Sequence, residues 1–291
     1  MQKLKYMGYI IFILVIIFLI FIVYNNVQGK ENEETQIQDK LETEIRYLES
    51  NIVSMLNSMR GLEYKKYEVV KKEESKEDKQ NIENTQNKQN EEDENKEGKQ
   101  NEEKEKTYTF SLAKQKIDIE EQPNFENIEK VIAEINVSTP IITLDLYKLG
   151  VSSENVLAFT KNLDELSINI NQKNQMEGIK KLVNMYTLIN NYAQKAKMNI
   201  EYVKALQTKQ KIFEAYMLLD YNKWEDISNK TKEATNIFGE LFNEKNIEPG
   251  KQDKINTVYV MLNELNASVN LKNKKLFLEK YLKVLDEMQV L

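Results

Sequence analysis

The sequence predicts a mainly α-helical protein. An N-terminal transmembrane helix leads into an irregular helical bundle or helical-hairpin array, with room for one small β-hairpin flanking a disordered acidic insert. Three observations carry this expectation. Residues 7–24 are almost wholly apolar. Apolar residues recur three and four apart through 37–62 and again from 123 to 290, the period of helices with one buried face. Short polar turns join the later segments into antiparallel-looking pairs.

The N-terminal segment reads MGYIIFILVIIFLIFIVY over 7–24, with Gly8 its only residue outside the hydrophobic class. At about 1.5 Å per residue such a helix spans roughly 27 Å, close to a bilayer's hydrocarbon thickness. It has no polar stripe, and Tyr6, Tyr9 and Tyr24 sit near its ends, where amphipathic rings favour the interface. Lys3 and Lys5 precede it, while Glu31, Glu33 and Glu34 follow soon after it. The positive-inside rule then leaves residues 1–6 in the cytoplasm and everything after Tyr24 outside. The competing reading is a cleaved signal peptide, with Val27-Gln28-Gly29 as its small residues. The apolar run exceeds the usual length of about 7–15 residues, which favours an uncleaved anchor.

Residues 31–70 hold an amphipathic segment. Leu41, Ile45, Leu48, Ile52, Met55, Met59 and Leu62 follow a strict heptad spacing, with Ile45 and Ile52 at a and Leu41, Leu48, Met55 and Leu62 at d. That pattern suits a parallel two-stranded coil and hence a homodimer through 37–62. The doubled pairs Ile52-Val53 and Met55-Leu56 widen the stripe and favour docking on helices of the same chain instead.

Residues 71–106 contain nine Lys, thirteen acids and a single apolar residue, Ile82. Such a segment buries too little apolar surface to offset its ordering entropy and should be a disordered spacer. On its flanks, Tyr64, Tyr67, Val69 and Val70 precede it. Tyr108, Phe110 and Leu112, then Ile117 and Ile119, follow with the alternation of a half-buried strand. Paired flanks would bring 37–70 into the main domain, 107–291. There the pattern is helical: one helix from Pro123-Asn124, a second opened by Ser138-Thr139-Pro140 and ended by Gly150, then segments near 152–170, 175–196, 199–219, 224–243, 255–270 and 274–290. The later ones fall into hairpins of about 40–47 residues.

The anchor, LETEIRYLESNIVSMLNSM (41–59), the acidic spacer, TPIITLDLYKLGVSSENVLAF (139–159) and AYMLLDYNKWEDI (215–227) together resemble uncharacterised membrane-anchored helical proteins of AT-rich Gram-positive bacteria. The resemblance covers most of the chain and implies a single-pass, extracytoplasmic helical protein. Its motifs are packing motifs, so no functional residue follows from it.

Composition removes many chemistries. With 0 His there is no imidazole base, and without Cys there is no thiol nucleophile, disulfide or zinc knuckle. Neither G-x-G-x-x-G nor G-x-x-x-x-G-K-[ST] occurs, nor an EF-hand loop, so no cofactor or metal is expected. A net charge of −6 argues against a nucleic-acid partner. Arg46 and Arg60 are the only arginines, which leaves little for bidentate anion clamps.

Carboxylates are plentiful. Asp145, inside the apolar run TLDLY, is expected to face solvent on a one-sided helix, with a buried functional acid as the sharper alternative. Asp220, Glu225 and Asp226 surround Tyr221 and Trp224 in what reads as an inter-helix turn. Tyr216, Tyr221 and Trp224 are the candidate interaction surface; Leu41, Ile45, Leu48, Ile52 and Met55 are the candidate self-association or docking stripe. No catalytic constellation stands out. The expectation is a non-catalytic, membrane-anchored scaffold or protein-interaction module of the cell envelope, bound to the bilayer through 7–24 and to another envelope protein. The alternatives are a sensor domain acting through a membrane partner, and a carboxylate-dependent enzyme that cleaves cell-wall glycan.

Overall fold

The computed structural model describes residues 36–67, 114–119, 122–244, 247 and 250–289. The expected anchor at 7–24 and the acidic insert at 71–106 lie outside them. Among the described residues no helix is long and apolar enough to cross a membrane. The chain divides into two units: Tyr64–Asp118, and the remainder, which groups residues up to Glu63 with Ile119–Leu291. Strands β1 (Leu62–Tyr67) and β2 (Lys114–Ile119) pair as a two-stranded sheet, as the alternation around Tyr64 and Ile117 suggests.

The larger unit is helical, as expected: α1 (36–58), α2 (Phe125–Lys148), α3 (Ser153–Asn171), α4 (Gln175–Lys195), α5 (Ile200–Leu218), α6 (Trp224–Gly239), α7 (Gln252–Val269) and α8 (Lys274–Met288). Each helix from α2 to α8 packs on the next in sequence, the arrangement of a helical-hairpin array.

The junctions share one local solution. Gly150, Lys173, Lys197 and Lys272 take left-handed backbone conformations just after a helix. After α2, α3 and α4 the next amide reaches back to close a Schellman turn: Val151 to Leu146, Asn174 to Asn169 and Met198 to Ala193. A cap follows at once. The side chains of Ser152, Asn174, Asn199 and Asn273 each accept a backbone N–H three residues on. Stop and start therefore take three or four residues, and consecutive helices fold back on each other.

Two sequence expectations are corrected here. The helices placed either side of Ser138-Thr139-Pro140 are a single helix, α2, with Pro140 inside it. Pro140 lacks a donor for the carbonyl four residues back. The Ser138 hydroxyl donates to the Glu134 carbonyl (2.8 Å) and the Thr139 hydroxyl to the Ile135 carbonyl (2.7 Å), and the helix runs on. The amphipathic helix also stops earlier than 62. Gly61 (φ 58°) turns the chain, and Leu62 opens β1.

The path of α1 organises the unit. Asn127 Nδ2 of α2 donates to Ser58 Oγ (2.9 Å). Tyr186 of α4 and Tyr202 of α5 donate to Glu49. Tyr216 of α5 donates to the Leu56 carbonyl (2.7 Å), and Tyr281 of α8 to Asn57 Oδ1 (3.1 Å). A single helix thus touches α2, α4, α5 and α8. Its stripe, Leu41, Ile45, Leu48, Ile52 and Met55, is buried to 1% exposure or less within one chain. Each such side chain contributes about 1.5–3 kcal/mol of apolar burial. The heptad seam is therefore an intramolecular interface, and a homodimer through 37–62 would require α1 to leave the core. Beyond α1, Tyr186 meets Phe213 edge-on at 4.6 Å, and Tyr281 stacks on Tyr216 at 5.0 Å. Gly178 admits Met59 so closely that an added Cβ would lie 2.5 Å from its terminal methyl.

Candidate functional site

Three buried ionic clusters tie residues 40–60 to the array. At the first residue pair, Lys40 of α1 and Lys148 of α2 both donate to Asp145, at 2.5 and 2.9 Å. Asp145 is 2% exposed, so the expectation that it faces solvent is corrected. It sits one residue off the outer stripe of α2, on the flank that meets α1. Burial pushes its carboxyl up, but the two ammonium groups outweigh that and hold it below its ordinary value. An acid held ionised in this way is unsuited to protonating a leaving group.

The second cluster lies in the middle of α1. Glu49 accepts from Lys209 Nζ (2.8 Å), Tyr186 Oη (3.0 Å) and Tyr202 Oη (2.6 Å). Desolvation opposes its charge, yet Lys209 and the two hydroxyls together lower its pKa. Burial pushes the Tyr186 and Tyr202 phenols well above their ordinary value, with the Glu49 charge adding to the effect, so both stay protonated as donors. Sequence reasoning missed this cluster, though a signal was there. Glu49 lies four residues after Ile45 and three before Ile52, and Lys209 three after Leu206 and three before Ile212. Two opposite charges each interrupt an apolar face.

The third cluster follows α1. Arg60 grips Asp220 with both terminal nitrogens (2.8 and 2.9 Å), donates to the Tyr216 carbonyl (3.1 Å) and lies 4.4 Å above the Tyr216 ring. Lys274 adds a second cation at 3.1 Å. Burial pushes Asp220 up, but these cations hold it below its ordinary value. The structure therefore separates the candidate surface Tyr216, Tyr221 and Trp224. Tyr216 is fully buried in the aromatic core, which corrects its assignment as a surface residue, whereas Tyr221 is exposed and Trp224 half-buried at the start of α6. Glu225 and Asp226 are exposed in the first turn of α6, and only Asp220 is drawn into the interior.

Between α1, α5 and α8 lies a groove of about 540 Å³, within the range of about 300–1,000 Å³ typical of binding sites. Its lining mixes polar residues, among them Glu49, Lys209, Tyr202, Ser58 and Gln289, with apolar Val53, Leu62, Leu285 and Met288. Ser50 and Ser54, four apart on the outward face of α1, line it with Asn57. Arg46 closes one side, its guanidinium 3.9 Å above the Tyr202 ring and hydrogen-bonded to Glu42 (2.9 Å). The groove thus offers hydroxyl and amide groups beside aliphatic surface. Its charged groups are neutralised in pairs. Among the described residues no group of three or more acids is placed to hold a metal ion.

No protein-family model matches the chain, and neither does any curated protein or solved structure.

Proposed function

We propose that the chain is a tethered helical interaction module of the bacterial cell envelope, which takes a segment of a partner protein in the α1–α5–α8 groove. The groove, with polar and aliphatic side chains in one lining, is the observation that carries this reading. The apolar run 7–24 supports a single-pass anchor with residues 1–6 in the cytoplasm and the helical unit outside, the organisation also implied by the resemblance to membrane-anchored helical proteins of AT-rich Gram-positive bacteria.

A related reading, an extracytoplasmic sensor, gains support from α1 itself. It walls the groove through Arg46, Glu49, Ser50, Val53, Ser54 and Asn57, and it is the described helix nearest in sequence to the apolar run. A segment entering the groove would press on that helix.

The test is in-cell cross-linking of the full chain followed by pull-down, comparing the natural protein with Ser54→Trp, which fills the groove from an exposed position. A cross-linked partner lost in the variant is the expected result. A protein that is solitary in both forms overturns the proposal.

A further inference from the structure

Away from the groove, α2 carries an apolar stripe that none of the described residues covers. Val137, Ile141 and Leu144 are 80%, 55% and 55% exposed and stand at i, i+4 and i+7, one line along the helix. Partly exposed tyrosines flank it: Tyr147 on α2, and Tyr47 on α1, whose hydroxyl lies within hydrogen-bond distance of Ser138 Oγ (3.2 Å). From Asn136 to Ser153 the only acid is Asp145, which is buried; Lys40 and Lys148 pair with it, Lys40 pairs also with Glu44 of α1 (3.5 Å), and both lysines keep about half of their side-chain surface exposed. This end of α2 therefore turns aliphatic side chains, phenols and ammonium groups outward, and no carboxylate.

We infer that this face of α2 rests on the surface of the bilayer that carries the anchor, with Val137, Ile141 and Leu144 entering the headgroup boundary and Lys40 and Lys148 facing anionic lipid headgroups. The inference rests on the anchor reading of residues 7–24. Aliphatic residues bordered by Tyr and Lys are the composition of helices that lie in the membrane interface. The geometry of the chain agrees. The Lys40–Asp145 contact joins the start of α1 to the far end of α2. Only residues 25–35 separate the apolar run from the start of α1, a reach of roughly 40 Å at most. A tethered module meets its own bilayer at high effective concentration, so a small patch suffices. A second copy is the weaker occupant, because three partly exposed aliphatic side chains fall well short of the roughly 800 Å² per partner that a stable dimer buries.

The natural chain has no cysteine, so single cysteines report cleanly. The full chain carrying Val137→Cys, Ile141→Cys or Leu144→Cys is labelled with an environment-sensitive fluorophore and reconstituted in phosphatidylcholine vesicles with or without phosphatidylglycerol. Leu271→Cys, an exposed apolar position between α7 and α8, and Glu225→Cys serve as controls. The expected result is a blue shift and strong quenching by lipid-borne spin labels at 137, 141 and 144, larger with phosphatidylglycerol, and none at 271 or 225. Vesicles that float with the protein while all five positions stay unquenched overturn the inference and leave the anchor intact. A blue shift that depends on protein density without lipid quenching also overturns it, in favour of a second copy. Failure to float with vesicles removes the anchor reading and this inference together.

Discussion

Glu49 and Lys209 oppose each other at 2.8 Å with almost no access to solvent. Removing one partner of such a pair leaves the other buried and uncompensated, a loss of about 3–5 kcal/mol. Glu49→Gln keeps the shape but not the charge, and is expected to lower stability by about 3 kcal/mol in urea unfolding. The pH dependence follows from the direction of the shift. Glu49, Asp145 and Asp220 all have lowered pKa values when folded. Their contribution is complete above the ordinary carboxylate range and is lost as pH falls through the folded values, so stability should fall in acid. In Glu49→Gln the acid limb of a stability–pH titration should be shallower. At Arg60 the geometry is a two-pronged grip on Asp220 over the Tyr216 ring, which a single ammonium cannot reproduce. Arg60→Lys is expected to cost about 1–3 kcal/mol, measured by thermal unfolding; an unchanged midpoint would show that the bidentate contact contributes nothing.

Among the elements, α1 matters most, because it lies against α2, α4, α5 and α8 rather than beside the domain. Ile52→Ala is expected to cost about 2–4 kcal/mol in a single cooperative transition shared by the whole helical unit. A separate early transition would mean that α1 melts independently of the array. The period of its apolar stripe announced the helix, and the doubled apolar pairs pointed to docking. Which helices receive it could not be read, because α4, α5 and α8 present apolar faces of the same kind and only tertiary packing chooses among them. The turn after α2 was legible through Gly150, whose preference is local, whereas the Asn caps at 174, 199 and 273 were not read. Pro140 was misread for a local reason too. Its missing donor predicts a break, while the hydroxyls of Ser138 and Thr139 bond back along the helix. The burial of Asp145 was invisible from α2 alone, since it depends on Lys40 more than a hundred residues earlier.

At the scale of the whole molecule, residues 71–106 lie between two paired strands yet carry almost nothing apolar. If they serve as a solvated spacer, replacing them with a twelve-residue Gly/Ser linker changes loop-closure entropy by only about 1 kcal/mol. The thermal midpoint of the helical unit should then shift by only a few degrees, as followed by circular dichroism; loss of folding would show that the segment contributes packing. The central claim is that a tethered helical unit receives a partner segment in the α1–α5–α8 groove. In-cell photo-crosslinking of the full chain addresses it most directly, with a photoreactive residue at Ser50 or Ser54 in the groove and at Glu225 outside it. The account predicts one discrete adduct from 50 and 54 and none from 225. A folded, membrane-associated protein that yields no adduct at 50 or 54, or the same adducts at all three positions, would contradict it.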